Sequence, residues 1–423
     1  MGRQNLTFGA ARVATQRQGG GTRTFVSGSY VPQCWVARTF FSGSQVPQDD
    51  VPFPLQYRLT AQDVFEGAGV PNLACLRRHF HGEGRLDLDC LLRIVRDTRA
   101  ALARESNVVY LSGTIRVVGA ICGQFYDLLE ILKRVNFDEG EKCVFLGNFS
   151  WDGSFNTETV LYLYAHKLVY PDHVILLRSQ RETRLCSKTT FKLECETKYS
   201  LDVYEDFCQS FDHLPLVAII NKYTMCVHGG ISPKALDLAH IDAINRFEEP
   251  PPRGAMTDLL WADPDPNFGQ EAPTTPCFTF NRDRLISVFF TCEALKHFMK
   301  RNRLTCLIRA NQPLFDGFSH LVLLTVSRVT VCVLQVFLSR VAHRVTCDCV
   351  SRRFVEYQMP VQAKDEHKYS MKGVFSAPNF KGKRNQGKFV EYQMPVQAKD
   401  EHKYSMKGVF SAPNFKGKRN QGK

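Results

Sequence analysis

At 423 residues, 44% apolar and 23% charged, the chain has the length and composition of one large or two ordinary globular domains, which argues against intrinsic disorder. Its formal net charge of +12 lies at the ends: five arginines and no acid in 1–48, and seven Lys/Arg against three Asp/Glu in each copy of a segment that occurs twice. Residues 49–353 are left near −1, which argues against a nucleic-acid groove on the folded body.

Residues 1–48 are rich in Gly, Ser, Arg and Gln, and 23–33 recur imperfectly as 38–48; with no apolar periodicity they read as a flexible tail. From Val51 the pattern changes. Leu73–Phe80 and Asp87–Leu102 carry apolar residues at helical spacing (Leu91, Leu92, Ile94, Val95, then Leu102) and predict two surface helices. Val108–Ser112 and Thr114–Gly119 read as a strand pair across Gly113, Gln124–Val135 as an amphipathic helix and Lys142–Gly147 as a buried strand. Asn156 is placed as the N-cap of a helix that Pro171 stops. Further strands are expected at His173–Ser179, Leu216–Asn221, Tyr223–Gly229 and Leu304–Ala310, with proline-rich loops at 250–252 and 264–276.

Residues 321–338 are apolar and Val-rich, but short for a bilayer and interrupted by Arg328. Alternation at Val329, Val331 and Val333 points to β-structure and no membrane span. Phe354–Lys388 is repeated without one substitution as Phe389–Lys423; the strand-like piece Met371–Pro378 would fill one slot, leaving Met406–Pro413 none. The expected organisation is a tail at 1–48, a domain at 49–388 with a divergent insert-like 311–353, and a duplicated basic tail at 389–423. Fifteen scattered cysteines without a CxxC pair, and no apolar leader, give the expectation of a reducing, cytoplasmic setting.

Between Val117 and Gly230, strand-like runs end in polar loops: Gly-Ala-Ile-Cys-Gly (119–123), Gly-Asn-Phe-Ser-Trp-Asp-Gly (147–153), Arg-Ser-Gln-Arg-Glu (178–182) and His-Gly-Gly (228–230). Strands that deliver polar loops to one edge are how a hydrolase of α/β or β-sandwich type assembles a site. With Gly-Gln-Phe-Tyr-Asp-Leu-Leu (123–129), Thr-Phe-Lys-Leu-Glu-Cys-Glu (190–196), Arg-Phe-Glu-Glu-Pro-Pro (246–251) and Leu-Leu-Trp-Ala-Asp-Pro (259–264), residues 51–310 resemble the metal-dependent serine/threonine protein phosphatases of the calcineurin A type. The resemblance implies an α/β, calcineurin-like metallophosphoesterase fold: a central β-sandwich flanked by helices, with the active site at one sandwich edge.

The resemblance further implies hydrolysis of phosphoserine or phosphothreonine esters by a hydroxide bridging two metal ions, Fe/Zn or Mn, held by anionic ligands. Carried over position by position, the Asp and His of the first loop fall at Ala120 and Cys122, and the bridging Asp at Asn148. The Asn and catalytic His of the third loop fall at Gln180 and Arg181, and the last ligand His at Asn311. Only His228 matches a metal ligand outright, and no metal cofactor is expected. The Asp that partners the catalytic His falls at Trp151, and a phosphate-binding Arg at Asp152. Arg178 and Arg284 match family arginines, so a cleft with Arg178, Arg181 and Arg284 is expected to hold a phosphate without cleaving it.

The expected function is therefore that of a pseudophosphatase that binds a phosphoprotein or protein partner. The alternative is a residual metal-dependent phosphatase using Cys122, His228 and Asp152. The family's segments for calcineurin B and calmodulin are not recognisable here.

Overall fold

The computed structural model describes residues 55–65 and 69–312, together with the backbone of five strands between 318 and 409. The expected tail at 1–48 and most of the insert-like 311–353 lie outside the described residues.

The chain opens with β1 (Arg58–Leu59), α1 (Ala61–Val64), α2 (Leu73–His81), β2 (Arg85–Leu86) and α3 (Leu88–Leu102). The two helices expected from spacing are α2 and α3. Asn72 and Asp87 cap them, accepting from Cys75 N at 2.9 Å and Cys90 N at 2.7 Å. Next come β3 (Val108–Leu111), β4 (Ile115–Val118), α4 (Phe125–Leu132), β5 (Lys142–Phe145), α5 (Asn156–Val169) and β6 (Val174–Leu176). The helices α6 (Arg184–Ser187), α7 (Thr190–Lys198) and α8 (Leu201–Phe211) lead to β7 (Val217–Ile220) and β8 (Thr224–Val227). Then follow α9 (Leu238–Asp242), α10 (Ala255–Trp261), β9 (Asp263–Pro264), β10 (Phe278–Phe280), β11 (Val288–Phe290), α11 (Cys292–Asn302) and β12 (Cys306–Arg309). The last strands are β13 (Phe318–Val322), β14 (Val329–Val333), β15 (His367–Val374), β16 (Gly387–Tyr392) and β17 (Tyr404–Val409).

Two large sheets result. One runs β13-β14-β15-β12-β8-β7-β3, the other β17-β16-β4-β5-β6. The strands β5, β6, β7, β8 and β12 are buried on both faces, and alternate residues enter different cores. Val217 and Ile219 of β7, Met225 and Val227 of β8 and Leu307 of β12 face the core shared with α10 and α11. Ala218, Ile220, Cys226, Cys306 and Ile308 face Ile115, Val117, Val144 and Ile175 from the second sheet, which makes the pair a sandwich. On the far side of the second sheet, Val118, Cys143, Phe145 and Leu176 meet α3, α4, α5, α7 and α8. Helix α5 is buried nearly all round, from Val160 to Ala165, because it lies against α2, α3, α4 and α7 at once. Each such buried Leu or Val stabilises the fold by about 1.5–3 kcal/mol.

The structure corrects three expectations. Val108–Leu111 and Ile115–Val118 do not pair across Gly113; β3 joins β7 in one sheet and β4 joins β5 in the other. Gly113, at φ +105, is where the chain crosses between the sheets, and its N–H donates to Asn221 Oδ1 at 3.0 Å. Asn156 is the first residue of α5 rather than its cap. Its side chain accepts from Trp151 N at 2.8 Å and donates to Gly153 O at 2.8 Å, which fastens the preceding loop. The second copy of the repeat also has a place: β16 runs antiparallel to β4, and β17 pairs with β16 at the sheet edge. The β-structure expected from valine alternation occurs as β14, and no helix among the described residues is long and apolar enough to cross a membrane.

Asp127, in the first turn of α4, is a buried acid. Its Oδ2 accepts from Gln124 Nε2 at 2.5 Å, and its Oδ1 has no hydrogen-bond partner among the described residues. Burial pushes its carboxyl up to about 7 from a normal value of 3.8. A raised folded-state value means that the protonated group's contribution is fully present below the unfolded value and lost as pH rises through the folded one. Unfolding free energy is therefore expected to fall between pH 4 and 8 by up to roughly 4 kcal/mol from this group. Denaturant titrations across that range should show the slope in the parent chain and a flattened one in Asp127→Asn.

Candidate functional site

Because β4, β5 and β6 run parallel, as do β8 and β12, the loops that follow them emerge in two sets at carboxyl ends of the sandwich strands. The first two loops are knitted by backbone bonds: Cys122 N to Asn148 O at 2.7 Å, Gly123 N to Phe149 O at 2.7 Å and Gly153 N to Cys122 O at 3.0 Å. A Cβ on Gly153 would lie 2.5 Å from that same Cys122 oxygen, so the approach needs glycine. Cys122, Asn148 and Asn311 hold φ of 57°, 55° and 69°, left-handed backbone at three separate loops.

Glu182 binds the second loop to the third. Its buried carboxylate accepts from Asn148 N at 3.0 Å, Phe149 N at 2.9 Å and Ser150 N at 3.5 Å, and from the Ser179 hydroxyl. Ser179 Oγ in turn accepts from Asn148 N at 2.9 Å and Arg181 N at 3.0 Å. Burial pushes the Glu182 carboxyl up, against the downward pull of Ser179 and the loop amides.

His228 carries the link between the sheets. Its Nδ1 lies 2.7 Å from Leu146 O; since a carbonyl only accepts, Nδ1 bears the proton and Nε2 presents a lone pair. Burial pushes the imidazole down to about 3, so it is neutral at physiological pH. Nε2, together with Gln180 Oε1 and Asn311 Oδ1, is buried without a hydrogen-bond partner among the described residues.

Asp263, which sequence reading did not single out, is a second hub. It receives Arg284 through Nε, Arg309 Nη2 at 2.7 Å, Asn281 Nδ2 at 3.1 Å and Asn311 Nδ2 at 3.2 Å. Burial alone would raise its carboxyl; Arg284 and Arg309 outweigh that and hold it below the usual range. The signal for it in the sequence was its place in Leu-Leu-Trp-Ala-Asp-Pro, and for Glu182 its place closing Arg-Ser-Gln-Arg-Glu.

The expected phosphate-binding trio is not presented as one open cluster. Arg178 is fully buried and directs its donors inward: Nη2 to Asp212 Oδ1 at 2.6 Å, Nη1 to Arg246 O and Glu248 O at 2.9 Å, and Nε to Glu182 O at 3.2 Å. Those donors are engaged within the protein. Arg284 is partly exposed but engaged by Asp263 and, at 2.8 Å, by Asn311 O. Arg181 lies over the Trp151 ring, 3.7 Å from its centroid, and Asp152 beside them is exposed.

Two dications do not suit this donor set. It offers an imidazole nitrogen (His228), carboxamides (Asn148, Gln180, Asn311), a buried thiol (Cys122) and a methyl group (Ala120), with no carboxylate among the six positions. Glu182, the carboxylate closest in sequence, already has its lone pairs committed to loop amides. Among the described residues no three His, Cys, Asp or Glu gather as a metal-binding group.

Residues 113–312 match the family described as Calcineurin-like phosphoesterase. The serine/threonine-protein phosphatase 4 catalytic subunit of Kluyveromyces lactis is 34% identical over 239 residues, 56% of this chain and 74% of that protein. The chain belongs to the calcineurin-like phosphoesterase family. Among its relatives, the serine/threonine-protein phosphatase 2B catalytic subunits A2 and A1 of Saccharomyces cerevisiae are 37% and 40% identical over 283 and 266 residues. Each alignment covers 61% of this chain, but 47% and 48% of the relatives, so the chain spans about half of their length. A solved serine/threonine phosphatase from Saccharomyces cerevisiae superposes with a TM-score of 0.61 at 23% identity, covering 81% of this chain and 95% of that one, which shows the fold.

The Glu182 contacts make a direct test. Glu182→Ala takes the side-chain acceptor from the Phe149 and Ser150 amides and leaves Asn148 N only Ser179 Oγ, and is expected to cost about 3–5 kcal/mol in chemical denaturation. Glu182→Gln keeps one oxygen acceptor but turns an NH2 group toward donors, so it should fall between the two.

Proposed function

We propose that the chain keeps a serine/threonine protein phosphatase fold as a binding module for a phosphoprotein or protein partner, without two-metal hydrolysis. The observation that carries this reading is the charge of the loop edge: its six ligand positions are neutral, and the nearby Glu182 is tied to backbone amides. Two-metal catalysis needs anionic ligands, both to hold the cations and to bring a bound water's pKa near neutrality. Arg181, at the position of the family's catalytic His, is always charged and so cannot serve as an acid that cycles its proton at neutral pH. With Arg284 it supplies guanidinium groups suited to a phosphoryl oxygen. Partner binding through the loop edge is accordingly assigned to Arg181, Arg284 and the exposed Asp152, with Arg178 holding the loop from beneath.

A residual phosphatase is the second reading, favoured by the acceptors of Gln180, His228 and Asn311, which have no hydrogen-bond partner among the described residues. Neutral donors alone would hold a single ion weakly and leave a bound water far from ionisation. A cytoplasmic setting accords with eleven free thiols among the described residues, nine of them buried.

Elemental analysis of the purified full chain, paired with phosphate release from a phosphoserine peptide, tests the proposal. The expected outcome is metal well below one ion per chain and no release above background after incubation with Mn, Zn or Fe. Two tightly held ions, with a release rate abolished by His228→Ala, would overturn it.

A further inference from the structure

A cleft of about 420 Å³ lies between α2 and α4, lined by Arg77, Arg78 and His81 from the first helix and by Leu129 and Lys133 from the second. None of these residues belongs to the loop edge or to the positions carried over from the family. Arg77, Arg78, His81 and Lys133 are exposed, while Leu129 is buried at the floor. His81 is fixed in place: its carbonyl accepts from Tyr126 Oη at 3.1 Å, and its ring packs edge-on against Tyr126 at 5.4 Å.

The bland explanation for these cations is that both helices end here, and cations favour helix C-termini. The charges do not balance on that account. Two C-terminal ends supply about −0.5 each. Glu130, 2.5 Å from Lys133, supplies one more negative charge. Against this stand the cations of Arg77, Arg78 and Lys133, so about one positive charge is left over, and among the described residues no carboxylate lines the cleft. Among the described residues neither Arg77 nor Arg78 has an ion pair to a carboxylate.

We infer that this cleft is a binding site for a phosphoryl group carried on a peptide. Adjacent guanidiniums on one helix turn and an ammonium across the cleft can surround three phosphoryl oxygens, and Arg forks pair with such oxygens bidentately. The cleft volume exceeds what one phosphate fills, and Leu129 gives an apolar floor for a neighbouring side chain, which favours a phosphorylated segment over the free ion. The inference stands independently of whether the loop edge hydrolyses anything.

The test is fluorescence anisotropy of the full chain with a labelled phosphoserine peptide, the same peptide unphosphorylated, and inorganic phosphate as competitor. Expected are binding of the phosphopeptide, at least tenfold weaker binding of the unphosphorylated one, and inorganic phosphate competing at least tenfold less well. The double change Arg77→Glu with Arg78→Glu should weaken phosphopeptide binding roughly tenfold or more. Arg77→Gln with Arg78→Gln should lower it less, with thermal transitions confirming that both variants fold. Arg181→Ala, at the loop edge, separates the two sites. Loss of binding there, with none from the α2 variants, would overturn the cleft while leaving the proposed function standing. Absence of phosphopeptide binding, or equal affinity for free phosphate, would overturn the inference outright.

Discussion

The carboxylate of Glu182, clasped by consecutive amides of the 148–150 loop, is the contact on which the loop edge depends. It joins the end of β5 to the end of β6 inside the protein, where amides without acceptors would be costly. Ser179 completes the clasp, and the neighbouring Arg178 extends it outward to Asp212 and to the carbonyls of Arg246 and Glu248. From there Arg246 reaches back to Asn107 Oδ1 at 2.7 Å, just before β3. Strands far apart in the chain are thus tied at one edge by a continuous set of charge-assisted bonds. That scaffold is built from side-chain and backbone hydrogen bonds within the protein.

A second charge arrangement, around Asp263, does the same for the other half of the edge. One buried carboxylate receives Arg284, Arg309, Asn281 and Asn311, gathering β12, the 281–284 turn and β9. Breaking such a set by removing its only anion leaves the buried guanidinium of Arg309 and the partly exposed one of Arg284 uncompensated, so the arrangement is cooperative rather than additive. The two hubs hold the loops chiefly through buried carboxylates, Glu182 and Asp263, that lie outside the six positions carried over as ligands, while Arg284 and Asn311 belong both to a hub and to the loop edge.

Much of the fold was legible because its strands and helices have clean periods. α2 and α3 announce themselves through apolar spacing, and the strands β5, β7, β8 and β12 through short apolar runs. Partner choice was not legible. Val108–Leu111 and Ile115–Val118 look like two arms of a hairpin, yet alternation says only that each strand has two apolar faces, not which sheet it joins. At the site, the order of the loops along the chain was legible from their polar motifs. The partner of Arg178 was not legible because the acid that it meets, Asp212, lies thirty-four residues away, just beyond the end of α8. Asp263 and Glu182 were passed over because an acid's structural role depends on which amides and arginines converge on it, and convergence is a property of the fold.

The repeat gives one hexapeptide, Tyr-Ser-Met-Lys-Gly-Val, two homes. As Tyr369–Val374 it lies within β15, hydrogen-bonded to β12 on one side and to β13 and β14 on the other; as Tyr404–Val409 it is β17, at the rim of the opposite sheet. Identical segments compete on equal local terms for either berth while the chain condenses, since nothing in their own side chains tells them apart. Correct threading is therefore decided by linker length and by which neighbour zips first, and a wrongly seated copy has to unzip before the sandwich can close.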